Sequence, residues 1–145
     1  MSGIRPLWLE MKAVLRSARL IINAEFTPLQ LTGAEGDILF HLLTGSNESA
    51  QEELAWQLDI GKAAISRVVD SLEAKGYVLR MKSARDKRAY SICLTEKGHS
   101  IGKDIIGIYE TLYRRVKSAI ADEELVLIES MLKRVSMNLD MMGER

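Results

Sequence analysis

Residues 53–98, ELAWQLDIGKAAISRVVDSLEAKGYVLRMKSARDKRAYSICLTEKG, contain the pattern that decides the fold. A short apolar segment precedes the turn residues Asp59-Ile60-Gly61, and apolar positions spaced as on one face of a helix follow them. Those positions are Ile65, Val68, Val69 and Leu72. They predict a helix from about Lys62 to Lys75 that is ended by Gly76, because glycine is common directly after the last helical residue. The short segment predicts a helix of its own.

The opposite face of the longer helix is small and polar at its N-terminal end. It carries Lys62, Ala63, Ser66, Arg67 and Asp70. Small side chains let a helix approach a groove closely, and a helix N-terminus favours phosphate. The two helices and their turn therefore fit a DNA-binding helix-turn-helix, although a plain helical hairpin in a bundle has the same pattern.

Two segments of alternating apolar and polar residues follow, on either side of a basic tip. Residues 77–82 and 89–94 alternate as strands do, and residues 83–88 lie between them. A strand pair directly after a helix-turn-helix indicates a winged helix, whose wing reaches along a DNA duplex. Asp86 lies two residues before Arg88, where its carboxylate would hold the guanidinium extended.

The charge of the chain is concentrated in the same region. The 20 basic and 20 acidic residues cancel overall, but residues 61–90 carry eight basic and three acidic groups, a net charge of +5. Residues 1–60 carry −4 and residues 91–145 carry −1. A basic middle is expected of a surface that contacts nucleic acid, and a solvated basic surface would have the same composition.

Four short motifs give the chain a resemblance to a known family. They are Ser66-Arg67, Leu72-Glu73-x-x-Gly76, Asp86-x-Arg88 and Leu94-Thr95-x-x-Gly98. In this order they resemble the MarR family of bacterial and archaeal transcriptional regulators, in detail over residues 53–98 and in helix order over nearly the whole chain. The resemblance implies a homodimer that binds a pseudo-palindromic DNA operator. Gly61 departs from the family pattern, because many members have a Ser or Thr there and glycine offers no side-chain oxygen.

The resemblance also implies roles for individual residues. Major-groove contacts would come from Lys62, Ala63, Ser66 and Arg67, and a wing-tip contact from Arg88. Contacts to the DNA backbone would come from Arg80, Lys82 and Arg85. A small-molecule effector would bind between the dimerisation helices and the DNA-binding lobe, and the candidate pocket residues are His41, Tyr109 and Tyr113.

Capping signals and apolar stripes predict the remaining helices. A helical stripe covers about residues 6–28, and Thr32 with Glu35, then Ser49 with Glu52, form capping-box signatures for the next two helices.

The C-terminal third predicts one long helix after Thr95 and a last helix that starts at Asp122. The last helix repeats apolar residues every three and four positions, the spacing of a helix–helix seam. Packing against a second subunit would cover this surface, and an internal three-helix bundle is the alternative.

The expected fold is mainly α with a small β-hairpin wing, in one domain over residues 1–145. Its DNA-binding lobe would span about residues 32–95, and its dimerisation helices about residues 6–28 and 96–142.

Other classes of function have less support. The sequence has no Gly-rich phosphate loop, nucleophile elbow or metalloprotease motif, so we expect neither an enzyme nor a cofactor. His41, His99 and Cys93 are too few and too scattered for a convincing metal site, and a structural role is expected for the thiol. The single cysteine and the lack of an export signal or apolar span fit a cytoplasmic protein. The competing interpretations are a winged-helix module that binds an acidic protein partner and a DNA-binding protein without an effector.

Overall fold

The computed structural model describes residues 3–82 and 89–143. Within them the helices are α1 (Ile4–Phe26), α2 (Gly33–Thr44), α3 (Gln51–Gln57), α4 (Lys62–Ala74), α5 (Glu96–Ser100), α6 (Gly102–Val116) and α7 (Asp122–Gly143). The strands are β1 (Glu48–Ala50), β2 (Val78–Lys82) and β3 (Tyr90–Leu94). The chain divides into two compact units, residues 1–110 and residues 111–145. The predicted mainly α fold with a small antiparallel hairpin is confirmed, and the predicted division into lobe and dimerisation helices stays a prediction.

Helix α2 starts with the predicted capping box. The Thr32 hydroxyl oxygen accepts a hydrogen bond from the Glu35 amide at 3.1 Å, and the Glu35 carboxylate accepts one from the Thr32 amide at 3.0 Å. Two amides at the helix start are thereby satisfied. Farther along, a Cβ on Gly36 would come within 2.3 Å of the Phe26 ring, so α1 and α2 are in close contact.

Helix α4 buries the predicted apolar face. Ile65, Val69 and Leu72 are at most 2% exposed, and Val68 packs partly buried against them. Each such side chain contributes about 1.5–3 kcal/mol when it is fully buried. The helix ends as expected at Gly76, whose φ of 84° lies in the left-handed region that glycine tolerates.

The sheet has three strands in the order β1-β3-β2, all antiparallel, so β3 is central. The sequence did not predict β1, and the prediction of a Ser49–Glu52 capping box is wrong. Ser49 instead lies in β1 opposite Ile92, and α3 begins after Ala50 with no side-chain cap. Ala50, the last residue of β1, takes the N-cap position of α3, so Ser49 lies one residue too early to cap the helix.

The single long helix expected after Thr95 is also wrong, because the structure has two helices there. The Thr95 hydroxyl oxygen caps α5 by accepting a hydrogen bond from the Gly98 amide at 3.1 Å. Helix α5 ends at Ser100, and the amide of Ile101, the C-cap residue, donates a hydrogen bond to the Lys97 carbonyl at 3.3 Å. Gly102 then starts α6 in a buried position, where a Cβ would lie 3.1 Å from a Leu43 methyl carbon. The chain is redirected so that α6 can pack closely on α2.

Two helices carry apolar faces that the described chain leaves exposed. The α1 face consists of Leu7, Trp8, Val14 and Leu15, each 50–68% exposed. The α7 face, in the second unit, consists of Leu127, Ile128, Met131, Leu132 and Leu139, each 45–58% exposed. Faces of this extent are unusual on monomeric proteins.

Candidate nucleic-acid interface

The N-terminal end of α4 is open and carries the predicted recognition residues. Gly61 is the N-cap in extended conformation, makes no side-chain cap bond, and has free space around its Cα. Lys62, Ala63 and Arg67 are exposed, and Ser66 is half-buried. Among the described residues, no side chain caps the first amides of the helix, which suits an anion such as phosphate.

Arg80, by contrast, is held inside the protein. Its Nη1 lies 2.5 Å from an Asp70 carboxylate oxygen, its Nη2 donates to the Ser66 carbonyl at 3.1 Å, and its Nε donates to the Gln51 side-chain oxygen at 3.1 Å. The guanidinium also lies 5.5 Å from the centre of the Tyr90 ring. Its side chain is only 16% exposed. The side chain that the family resemblance assigns to the DNA backbone is thus bound to three acceptors of the protein itself.

The remaining predicted wing contacts are only partly described. Lys82, at the end of β2, is exposed to solvent. Arg85, Asp86 and Arg88 lie outside the described residues, so their expected roles stay predictions.

An exposed tryptophan adjoins α4 and was not among the predicted site residues. Trp56, on α3, is 81% exposed. It borders an open groove of about 430 Å³ that is also lined by Gly61 and Lys62 at the start of α4. Its position off the apolar stripe of Leu54 and Leu58 is the sequence signal that identifies it as a surface residue.

An ion pair between Lys75 and the buried Glu35 holds the C-terminal end of α4. Lys75 Nζ lies 2.9 Å from one Glu35 carboxylate oxygen and 3.0 Å from the other, and Ser71 donates to the same carboxylate at 3.1 Å. Burial raises the pKa of Glu35, but the hydrogen bonds from Thr32, Lys75 and Ser71 outweigh it and hold the pKa below its usual range. Because Glu35 starts α2, this cluster joins α2 to the C-terminal half of α4.

The three effector-pocket candidates have different environments. The Tyr109 ring stacks on Phe40 with ring centres 3.9 Å apart, and its hydroxyl donates to the Asp37 carboxylate. Burial, together with the hydrogen bond and negative charge of Asp37, raises the pKa of Tyr109. Burial likewise raises the pKa of Asp37, against the opposing effects of Tyr109 and Arg19. His41 is half-buried on α2, and Tyr113 is 50% exposed in the second unit.

A small groove lies beside this tyrosine–aspartate pair, between α1 and α2. It has a volume of about 180 Å³, and its lining residues are Leu15, Ala18, Arg19, Ile22, Asn23, Gly33 and Asp37. Of the three candidates, Tyr109 contacts the lining of this groove through Asp37, and the predicted pocket stays a prediction.

Cys93 has the environment of a structural thiol. It lies on β3 with its sulfur 3.8 Å from the Met81 sulfur. Burial, and then the negative charge of Glu48, raise the pKa of the Cys93 thiol, so the reactive thiolate is disfavoured. Over residues 3–82 and 89–143, no cluster of three His, Cys, Asp or Glu side chains has the geometry to hold a metal ion. In the same residues no helix combines the length and apolarity needed to cross a membrane.

The first unit contains, in order, the short helix α3, a turn, the 13-residue helix α4 and the antiparallel strands β2 and β3. Together they define a winged helix-turn-helix protein.

Comparison with known proteins finds a matching family model and similar solved structures. The sequence pattern of the MarR family matches residues 29–89. A crystal structure of MarR matches with a TM-score of 0.80 and 27% identity, over 100% of this chain and 99% of that one. A mutant MarR from E. coli complexed with operator DNA matches with a TM-score of 0.78 and 26% identity, over 91% and 94% of the two chains. The fold is shared as well with a MarR transcriptional regulator from Methanosarcina mazei Go1, at a TM-score of 0.82, 23% identity and coverage of 95% and 92%. Residues 29–89 therefore resemble the MarR family in sequence, and the chain shares the fold of MarR transcriptional regulators.

Proposed function

We propose that the protein is a sequence-specific DNA-binding transcriptional regulator. The observation that carries the proposal is the open N-terminal end of α4, where Lys62, Ala63 and Arg67 are exposed next to helix amides that lack a side-chain cap. Such an end can enter a major groove, where Arg and Lys read guanine edges and the amides meet phosphate. The relative from E. coli that was solved with operator DNA supports the same use of this fold.

We further propose that the active species is a homodimer bound to a pseudo-palindromic operator. Support comes from the α1 and α7 faces, whose apolar side chains are about half exposed or more in the single chain. Two-fold symmetry would set the two copies of α4 one turn of DNA apart, about 34 Å.

The proposed output is repression that a small-molecule effector relieves. The groove beside Asp37 supports an effector site, since it lies between α1, a proposed dimerisation helix, and α2, the start of the DNA-binding lobe. An effector that prefers a different separation of the two lobes would weaken operator binding by about 1–3 kcal/mol.

The test of DNA reading is selection of bound fragments from randomised duplex DNA, followed by salt titrations on the selected site and on scrambled DNA. We expect an inverted repeat that is bound well above scrambled DNA, with affinity for both falling as salt rises. Salt-dependent binding with no enriched sequence would contradict the proposal.

Arg67→Ala tests the proposed reading surface directly. We expect it to cost about 1–3 kcal/mol on the selected site and much less on scrambled DNA, because a base contact carries sequence preference. Lys103→Ala, a change at an exposed basic residue on α6, is the matched control and should leave the preference unchanged. Equal affinity of Arg67→Ala and wild type for the selected site would remove α4 from the reading surface.

A further inference from the structure

The contacts of Arg80 join three elements of the DNA-binding lobe through one side chain. Arg80 itself lies on β2, Ser66 and Asp70 lie on α4, and Gln51 is the first residue of α3. Three separate N–H groups of the guanidinium serve three separate acceptors, which only a planar fork with several donors can do. The side chain therefore fixes the position of the strand pair relative to both helices of the helix-turn-helix.

The backbone at the same position adds a fourth connection. The Arg80 amide donates to the Glu73 carboxylate at 2.9 Å. Ser66, Asp70 and Glu73 are spaced four and three residues apart, so they form one stripe along α4. Residue 80 is thus attached along more than one full turn of the proposed recognition helix. A shift of the strands along α4 would break several of these bonds together.

The burial of Arg80 argues against a direct role at a DNA phosphate. A cation that binds phosphate in solution must be reachable, but this side chain is 16% exposed and has an acidic partner 2.5 Å away. Two residues farther along the same strand, the Lys82 side chain is exposed to solvent. The strand therefore carries one internal and one external cation.

We propose that Arg80 is a positioning residue, which sets the angle between α4 and the wing, here the strands β2 and β3. This angle in turn sets the register of α4 and of the wing on an operator. This inference rests on the proposed function, because an angle between two DNA contacts matters only where both are used. A correct angle lets α4 and the wing engage one site at the same time, whereas a variable angle lets each bind DNA without a common register. The expected loss is therefore in sequence preference more than in general affinity for DNA.

The experiment compares Arg80→Lys, Asp70→Asn, their double variant and Lys82→Ala on the selected operator and on scrambled DNA. Arg80→Lys keeps the positive charge but has one nitrogen in place of the fork. Asp70→Asn keeps Arg80 and removes its charged partner at a residue whose side chain is 60% exposed, so it is the variant that folding tolerates best. Each protein is first checked by thermal unfolding, and binding is measured well below the unfolding midpoint.

We expect Arg80→Lys and Asp70→Asn each to reduce the operator-to-scrambled affinity ratio by about tenfold, and the double variant to lose no more than the weaker-binding single variant, because both changes break one unit. Lys82→Ala should leave this ratio unchanged and lower the slope of log affinity against log salt by about one, as for a phosphate contact.

A phosphate role for Arg80 gives the opposite result for the same variants. Arg80→Lys would then keep the operator preference, and Asp70→Asn would keep it too, because a phosphate contact carries no sequence preference. Either outcome, in a wild-type protein that prefers its operator, overturns the inference alone. A wild-type protein without any operator preference overturns the proposed function and this inference with it.

Discussion

At the scale of single residues, the lobe uses charge in two ways. Arg67 at the start of α4 is exposed, whereas Glu35 is 2% exposed and is surrounded by donors from Thr32, Ser71 and Lys75. The exposed charge costs little in the free protein and is available to a ligand. The buried charge is stable only because every strong contact favours its ionised form.

Glu35 should make the stability of the protein depend on acid pH. Its pKa in the folded state is lowered, so the stabilisation is complete above the ordinary range of glutamate and is lost as the pH falls through the lowered value. In Glu35→Gln this fall should be smaller, and the free energy of unfolding at neutral pH should drop by about 1–3 kcal/mol because Lys75 loses its charged partner. Urea unfolding between neutral and acid pH measures both effects.

An exposed acid provides the comparison for this change. Glu53→Gln, on the outside of α3, should alter the stability by at most about 0.5 kcal/mol. If Glu35→Gln and wild type have parallel stability curves across the acid range, the ion pair with Lys75 does not hold the carboxylate in its charged form.

Residue roles were the part of the site that the sequence predicted least well. Patterns on α4 located the exposed Lys62, Ala63 and Arg67, because helical periodicity separates a buried face from an exposed one. For Arg80 the family resemblance implied a contact with the DNA backbone, and no sequence pattern indicated its protein acceptors. Its acceptors are 10, 14 and 29 residues away in the chain, and no local pattern encodes contacts at such separations.

At the scale of helices and strands, close approaches of backbone decide where elements meet. Gly98 on α5 is an example in which the neighbouring atom is backbone, because a Cβ there would lie 2.4 Å from the Tyr77 carbonyl oxygen and 2.8 Å from a Leu94 methyl carbon. The absence of a side chain lets α5 begin directly against the start of the wing. The last residue of β3 and the first turn of α5 are therefore fixed to each other.

Gly98→Ala should consequently destabilise the protein. The added methyl group meets a backbone oxygen that cannot move away as a flexible side chain does, so we expect a loss of about 1–3 kcal/mol in the free energy of unfolding. Gly107→Ala is the control at a glycine inside α6 whose Cβ position is open space, and it should not lower the stability, because alanine favours a helix over glycine. Chemical unfolding of the two variants beside wild type decides between them, and equal stabilities would contradict the close contact at α5.

The elements that the sequence missed have a common physical reason. Strand β1 has three residues, too few to display alternation, and it exists because Ser49 and its neighbours pair with β3 more than 40 residues later. The break between α5 and α6 arises from packing of Gly102 on Leu43, which is also a contact between distant residues. The longer helices and the Thr32–Glu35 cap were predictable because their determinants lie within four residues of each other.

At the scale of the whole molecule, the α7 face is a long apolar surface that the described residues leave exposed to water. It repeats apolar residues along a helix of 22 residues in the second unit. In water such a face favours association, and the resulting stability depends on protein concentration.

Leu132→Glu should therefore shift the protein towards the monomer and weaken operator binding with it. The side chain is 47% exposed in the single chain, and a carboxylate in its place would be buried without a partner in a dimer. Sedimentation equilibrium should show a dissociation constant raised by about tenfold or more. Ser130→Glu places the same charge on another side of α7 and should stay dimeric, while a Leu132→Glu protein that remains dimeric would contradict a role for the α7 face.

The two tryptophans have a practical consequence for anyone who studies this protein by its intrinsic fluorescence. Trp8 is 52% exposed on the α1 face and Trp56 is 81% exposed beside α4, and the chain contains no others. In the single chain both indoles contact water. Trp8 lies on the α1 face, so its emission is expected to report self-association, and Trp56 borders the groove at the start of α4, so its emission is expected to report docking of a duplex. The protein thus contains two built-in optical probes, one for assembly and one for DNA.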